Sequence, residues 1–234
     1  MIRSHRMLGL AITAIIALGA LVVEPAAAVP LTVEGGASGT TFYTGDQDNS
    51  SHEFVTPAGT VKCTTAVFTG SSTGASVNEL TLAPSYSGCT AFGFAGTDVK
   101  VNGCTYTFTT PKKSTLTTVT WSNVNENGIQ REELHIICPA GKKIEITPTS
   151  FGASVCTQFI GPQTPGWGHV TGRNAGTSLA MDITLEFTLE SIVYTGSGGA
   201  CGTSGVAAKY TGKSTISAYS SETHFTQRGL TISL

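Results

Sequence analysis

The clearest regularity along the chain is an alternation of large apolar and polar side chains in SLAMDITLEFTLESIVY, residues 178–194. Leu179, Met181, Ile183, Leu185, Phe187 and Leu189 fall on one face of a pleated strand, while Asp182, Glu186 and Glu190 form a row of solvated acids on the other. Helical spacing would scatter the apolar groups around the circumference, and the Ile, Thr and Phe content also favours a strand. Near Ser191 the alternation slips by one residue and brings Ile192 and Tyr194 into phase, which predicts a bulge.

Shorter patterns fill the rest of the chain. Residues 31–34, 41–43 and 53–55 read as short β pieces separated by glycines, a loosely held edge. Residues 60–69 and 79–86 read as strands, with GSSTGAS between them as a loop and Pro84 interrupting the second ladder. TDVKVNGCTYTFT, residues 97–109, predicts a hairpin in which Asn102 and Gly103 supply the positive φ angles of a type I′ turn. Val101 would then face Cys104 and Val99 would face Tyr106, with Val99, Val101, Cys104, Tyr106 and Phe108 on the inward face. Further strands are expected before Trp121, at 134–138, 144–146, 156–160, 206–211, 213–218 and 229–234.

Many short strands with frequent turn signals, and no helical pattern after the first 28 residues, predict an all-β fold: a disulfide-stapled antiparallel β-sandwich. A β-barrel, or two packed β sub-domains divided near 122–130, are the alternatives.

The first 28 residues have a different logic. Arg3, His5 and Arg6 precede an apolar run from Met7 to Val23, and Ala26, Ala27 and Ala28 supply small residues for signal peptidase, so residues 1–28 read as a signal peptide and 29–234 as the secreted domain. The run is marginal for spanning a bilayer and no cysteine follows it, so the expected product is free and extracellular, without stable membrane insertion after cleavage.

Composition narrows the partners. Charged residues make up 12% of the 234-residue chain, about half the usual share of about 25%. No basic run is present, which argues against a nucleic-acid partner. The six cysteines, Cys63, Cys89, Cys104, Cys138, Cys156 and Cys201, contain no CxxC pair. In an exported chain they predict three disulfides. The expected pairs are Cys89 with Cys104, Cys138 with Cys156, and Cys63 with Cys201.

Candidate chemistry is sparse. Gly70 to Gly74 satisfies G-x-S-x-G, but that motif needs a strand turning sharply into a helix, and a strand follows here. Asp46, Asp48 and Glu53 are the candidate metal ligands, in a stretch resembling the opening of a calcium loop without its central glycine and final glutamate. No cofactor beyond that calcium ion is suggested. Asn49, Ser50 and Ser51 form a glycosylation sequon. His52, His135, His169 and His224 show no paired metal spacing, and His135 should face solvent opposite Leu134 and Ile136. Trp167 and His169, in the turn-rich stretch 161–177, and Trp121, at a strand end, are the candidate ligand-binding residues, since a displayed ring can stack on a sugar or pack against a partner. The functional expectation is a secreted, non-enzymatic binding or surface-associated protein that recognises a cell-envelope glycan or an extracellular protein through its end loops. A secreted hydrolase with a site assembled from distant residues, and a barrel holding a small apolar ligand, are the alternatives.

Overall fold

A computed structural model describes residues 31–33, 39–48, 52–109, 134–164, 182–198, 201–202, 204–223, 226–228 and 230–232. The signal-peptide segment, Trp121, Trp167, His169, His224, the Asn49 sequon and the 122–130 boundary lie outside the described residues. Among those described there is no α-helix. The strands, in chain order, are β1 (Leu31–Val33), β2 (Thr40–Gln47), β3 (His52–Thr56), β4 (Gly59–Thr73), β5 (Ser76–Val77), β6 (Glu79–Ala91), β7 (Phe94–Lys100), β8 (Thr105–Thr109), β9 (Leu134–Ile137), β10 (Ile144–Ser150), β11 (Ala153–Ser154), β12 (Thr157–Ile160), β13 (Asp182–Ser197), β14 (Gly205–Tyr219), β15 (Gln227–Arg228) and β16 (Leu230–Ile232).

Every pairing is antiparallel, and the ladder returns on itself. From β4 it passes through β6, β7, β10, β12, β13, β14 and β3 back to β4. A closed ladder can be round or pressed into two facing layers, so it accommodates both the barrel and the sandwich expectation. Closure gives each strand of this ring a neighbour on either side, which limits the open edges that invite aggregation in a chain with few charges. A separate small sheet, β16–β1–β5, places buried Val33 and Leu230 near one end.

Several strands run past one partner and on to the next. Residues 67–73 of β4 pair with β2, and residues 59–63 pair with β3, so β2 and β3 succeed each other between β4 and β14. This corrects the expectation of a loosely held edge. Tyr43 and Phe54 are buried because both of their strands have neighbours on either side. The supposed GSSTGAS loop is in its first half a continuation of β4, and the pieces at 206–211 and 213–218 are one strand, β14.

The predicted hairpin at 97–109 is likewise corrected. Asn102 and Gly103 do have φ of 55° and 79°, and the Cys104 amide donates to the Val101 carbonyl at 3.0 Å. Yet β7 and β8 do not pair with each other. Both run antiparallel to β6, β7 along its Cys89–Ala91 end and β8 along Glu79–Leu82, so the left-handed residues bend one long course instead of reversing it. The predicted inward face survives this change: Cys104, Tyr106 and Phe108 are buried, and Val99 and Val101 pack against the core. Pro84 does not interrupt β6, because it falls between the stretch paired to β8 and the stretch paired to β7, where its missing N–H costs no ladder bond on that side.

The disulfides are Cys63–Cys89, Cys104–Cys138 and Cys156–Cys201, so all three expected pairings are corrected. The ladder explains the outcome. Cys63 and Cys89 lie directly opposite on β4 and β6, and Cys104 and Cys138 sit at neighbouring breaks where β7 passes to β8 and β9 to β10. Their separations of 26, 34 and 45 residues correspond to about 3.5 to 4 kcal/mol each in the chain-entropy picture. The slip foreseen at Ser191 is present: its φ is 62°, and the β13–β14 register shifts between Leu189 and Tyr194.

Candidate functional site

Two features stand apart from ordinary apolar packing: a polar chain inside the ladder and an aromatic turn at one end of it. Inside, His52 is only 2% exposed. Its Nδ1 lies 2.6 Å from the Tyr210 hydroxyl and its Nε2 lies 3.1 Å from Ser214 Oγ. Tyr210 contacts Tyr86 at 2.9 Å, and Tyr86 donates to Tyr106 at 3.1 Å.

Each phenol has one hydrogen, which fixes the order of donors. Tyr86 spends its hydrogen on Tyr106, so Tyr210 donates to Tyr86, and His52 Nδ1–H donates to Tyr210. His52 Nε2 is then a lone pair that accepts from Ser214. The Lys213 carbonyl, 3.3 Å from Nε2, becomes a partner only if that nitrogen is protonated.

Burial lowers the His52 pKa to about 4, with the Lys213 carbonyl and the Asp48 carboxylate pulling weakly the other way. Burial likewise raises Tyr106 to about 12 and lifts Tyr86 and Tyr210 above the usual phenol value, so the chain is neutral across ordinary pH. This bears on the hydrolase expectation. A serine–histidine pair at 3.1 Å is present, but both residues are buried, the orienting group is a phenol instead of a carboxylate, and the imidazole is disfavoured as a cation. Such a pair cannot store the serine proton as a general base must. It is a satisfied interior network that fixes β3 against β14. The residues beside it line a cavity of about 40 Å³, room for a water molecule or two, whereas a cavity that binds benzene measures about 150 Å³.

The metal candidates are dispersed. Glu53 Oε1 pairs with Lys62 Nζ at 2.6 Å, Asp48 Oδ1 accepts from the Thr215 hydroxyl at 2.6 Å, and Asp46 lies exposed on β2. Among the described residues no group of three or more His, Cys, Asp or Glu side chains converges. His135 is on the outer side of β9, as expected, with Nδ1 2.8 Å from Thr164 Oγ1. Gly70 to Thr73 lie on β4 and no helix follows, so the G-x-S-x-G match has no elbow geometry.

The second feature is an end of the ladder. The strand ends joined by four connections lie there: 56–60 between β3 and β4, 91–94 between β6 and β7, 150–157 between β10 and β12, and, for residues 197–205 between β13 and β14, the described positions 197–198, 201–202 and 204–205. Their sequences, TPAGT, AFGF, SFGASVCT and SGGACGTSG, contain no Asp, Glu, Lys, Arg or His. The end is tied together. Cys156–Cys201 links two connections, the Gln158 amide donates to Thr56 Oγ1 and to the Cys201 carbonyl, and Gly202 lies against Ala58.

At the tip of the β10–β11 turn, Phe151 has φ of 51° and is fully exposed. A bulky L-residue in the left-handed region is rare and costs about 1–2 kcal/mol. Gly152 follows at φ 79°, completing a turn in which Asn–Gly is the favoured pair. Sequence reasoning passed over Phe151, although an aromatic before glycine between two strands is a readable signal.

In comparisons with known proteins, no family model, no curated protein and no solved structure matches this chain.

Proposed function

We propose that this is an exported, non-enzymatic binding protein that docks its charge-free end on an extracellular protein partner, with Phe151 as the anchor. The observation that carries this reading is the full exposure of Phe151 in a strained backbone conformation. Strain of this kind persists where something compensates for it, and among the described residues no packing covers the fully exposed ring. Protein interfaces are depleted of charge at their centres and anchored by aromatic side chains, which is the composition of this end. The disulfide and the Gln158 contacts hold the turns in place beforehand, so little ordering entropy is lost on docking. Three disulfides fit an oxidising compartment. No helix among the described residues is long and apolar enough to cross a membrane.

The test is a titration of labelled mature protein onto intact cells of the source organism. Saturable binding that weakens at least tenfold with Phe151→Asn, and that disappears after mild protease treatment of the cells, is the expected result. Binding that ignores the substitution, or that survives the protease, contradicts a protein partner at this end.

A further inference from the structure

A second surface lies on the wall of the ladder, away from the Phe151 end. Thr41, Phe42 and Tyr43 are consecutive on β2, so alternation sends Tyr43 inward, where it is buried, and Phe42 outward, where it is half-exposed. Phe42 pairs across the ladder with Ser71 of β4 on one side and with Tyr219 of β14 on the other. Tyr219 is on the outward phase of β14, whose Ile216 and Ala218 point in, so the two aromatic residues stand side by side on the outer face. Thr44 and Thr69 form the next directly opposed pair. Beyond the end of β14 the chain turns at 220–223 and brings Glu222 over this patch.

Together Phe42, Thr44, Thr69, Ser71 and Glu222 line an open groove of about 340 Å³. That is within the range of about 300–1,000 Å³ over which ligand pockets form. The lining chemistry is selective. A half-exposed ring offers a flat apolar face, three hydroxyls each donate and accept, and an exposed carboxylate accepts from two donors at once. A ligand matching this set has an apolar face and many hydroxyl groups on one rigid ring. Among the described residues no Lys or Arg lines the groove, and Glu222 repels anions, so phosphorylated or acidic ligands are disfavoured. A wholly apolar ligand would strand the hydroxyls without partners.

We infer that the groove formed by Phe42, Thr44, Thr69, Ser71 and Glu222 is a binding site for a neutral glycan, with a sugar ring stacked on Phe42 and its hydroxyls held by the threonines, the serine and Glu222. The site is independent of the docking end. It gives the protein a second, sugar-directed contact on the side of the ladder.

Affinity electrophoresis of the mature protein through gels containing dextran, laminarin, xyloglucan or galactomannan tests the inference, with polygalacturonate and heparin as acidic counterparts. Retardation by at least one neutral polysaccharide is expected, weakened at least tenfold by Phe42→Ala and at least fivefold by Glu222→Lys, and unchanged by Phe151→Asn. Glu222 is on an exposed turn, so its substitution reports on the groove even if Phe42→Ala loosens the strand. Absence of retardation by all four neutral polymers, retardation by the acidic polymers alone, or retardation that both groove variants retain would overturn it. Because Phe151→Asn leaves the groove intact, loss of cell docking with polysaccharide binding retained separates the two sites.

Discussion

The chain contains two Phe–Gly turns of nearly the same backbone geometry and opposite fates. Phe92 and Gly93 have φ of 53° and 85°; Phe151 and Gly152 have φ of 51° and 79°. At the first turn the ring folds back over Gly59, with Cδ1 3.0 Å from where a Cβ on that glycine would sit, and Phe92 packs against the core. At the second the ring is wholly in solvent. Both turns carry the cost of a left-handed aromatic residue, but only Phe92 offsets it by burial. The difference teaches that a Phe–Gly turn can be kept for packing, and that packing does not explain Phe151.

Four perturbations sharpen or break this contrast. The largest lies in the core and should be blind to either turn. His52 has a folded pKa of about 4 against an ordinary value of 6.5, so the unfolded chain takes up its proton first. The stability held by neutral His52 is complete above pH 6.5 and is lost as pH falls toward 4, by about 3 kcal/mol in all. Urea unfolding across that window should show the same acid loss in wild type, Phe92→Asn and Phe151→Asn; a turn variant that abolished it would mean that the turns and core are coupled.

Next is the left-handed pair that bends β7 into β8. Replacing Asn102 and Gly103 together by alanine should cost about 2.5 kcal/mol, because neither alanine tolerates its φ and the Asn102 amide loses its bond to the Lys143 carbonyl. An unchanged melting temperature would show that this bend does not hold the two courses of the ladder. Phe92→Asn relieves backbone strain but gives up ring burial, and a net loss of about 1–2 kcal/mol is expected by chemical denaturation. The smallest effect has the opposite sign. Phe151→Asn relieves strain and gives up no packing, so a gain of about 0.5–1 kcal/mol is expected.

The sequence showed faces more reliably than neighbours. Alternation identified which side of 99–108 is inward and where the strand at Ser191 slips, because both are local consequences of a period of two. Partners depend on the whole ladder. Asn–Gly reported its backbone angles truly and its hairpin falsely, since a left-handed pair can bend a strand as well as reverse it. The disulfides followed from β4 meeting β6 and from two courses breaking at the same level, neither visible in cysteine spacing. His52 stands among polar residues in the sequence, between Ser51 and Glu53, yet it is buried, because the chain around it becomes a strand between β4 and β14. Phe42 was legible in principle: two adjacent aromatic residues on one strand must point to opposite faces, and one of them outward. Trp121, Trp167 and His169, the recognition residues expected from sequence, are outside the described residues, so the case for binding now stands on Phe151 and Phe42.

The central claim, that Phe151 is kept exposed for a partner at the expense of stability, is tested most directly by measuring unfolding free energy and cell binding on the same Phe151→Asn preparation. A variant that is more stable by about 0.5–1 kcal/mol and binds cells at least tenfold more weakly is the predicted result. A variant that is less stable, or that binds as wild type does, contradicts it.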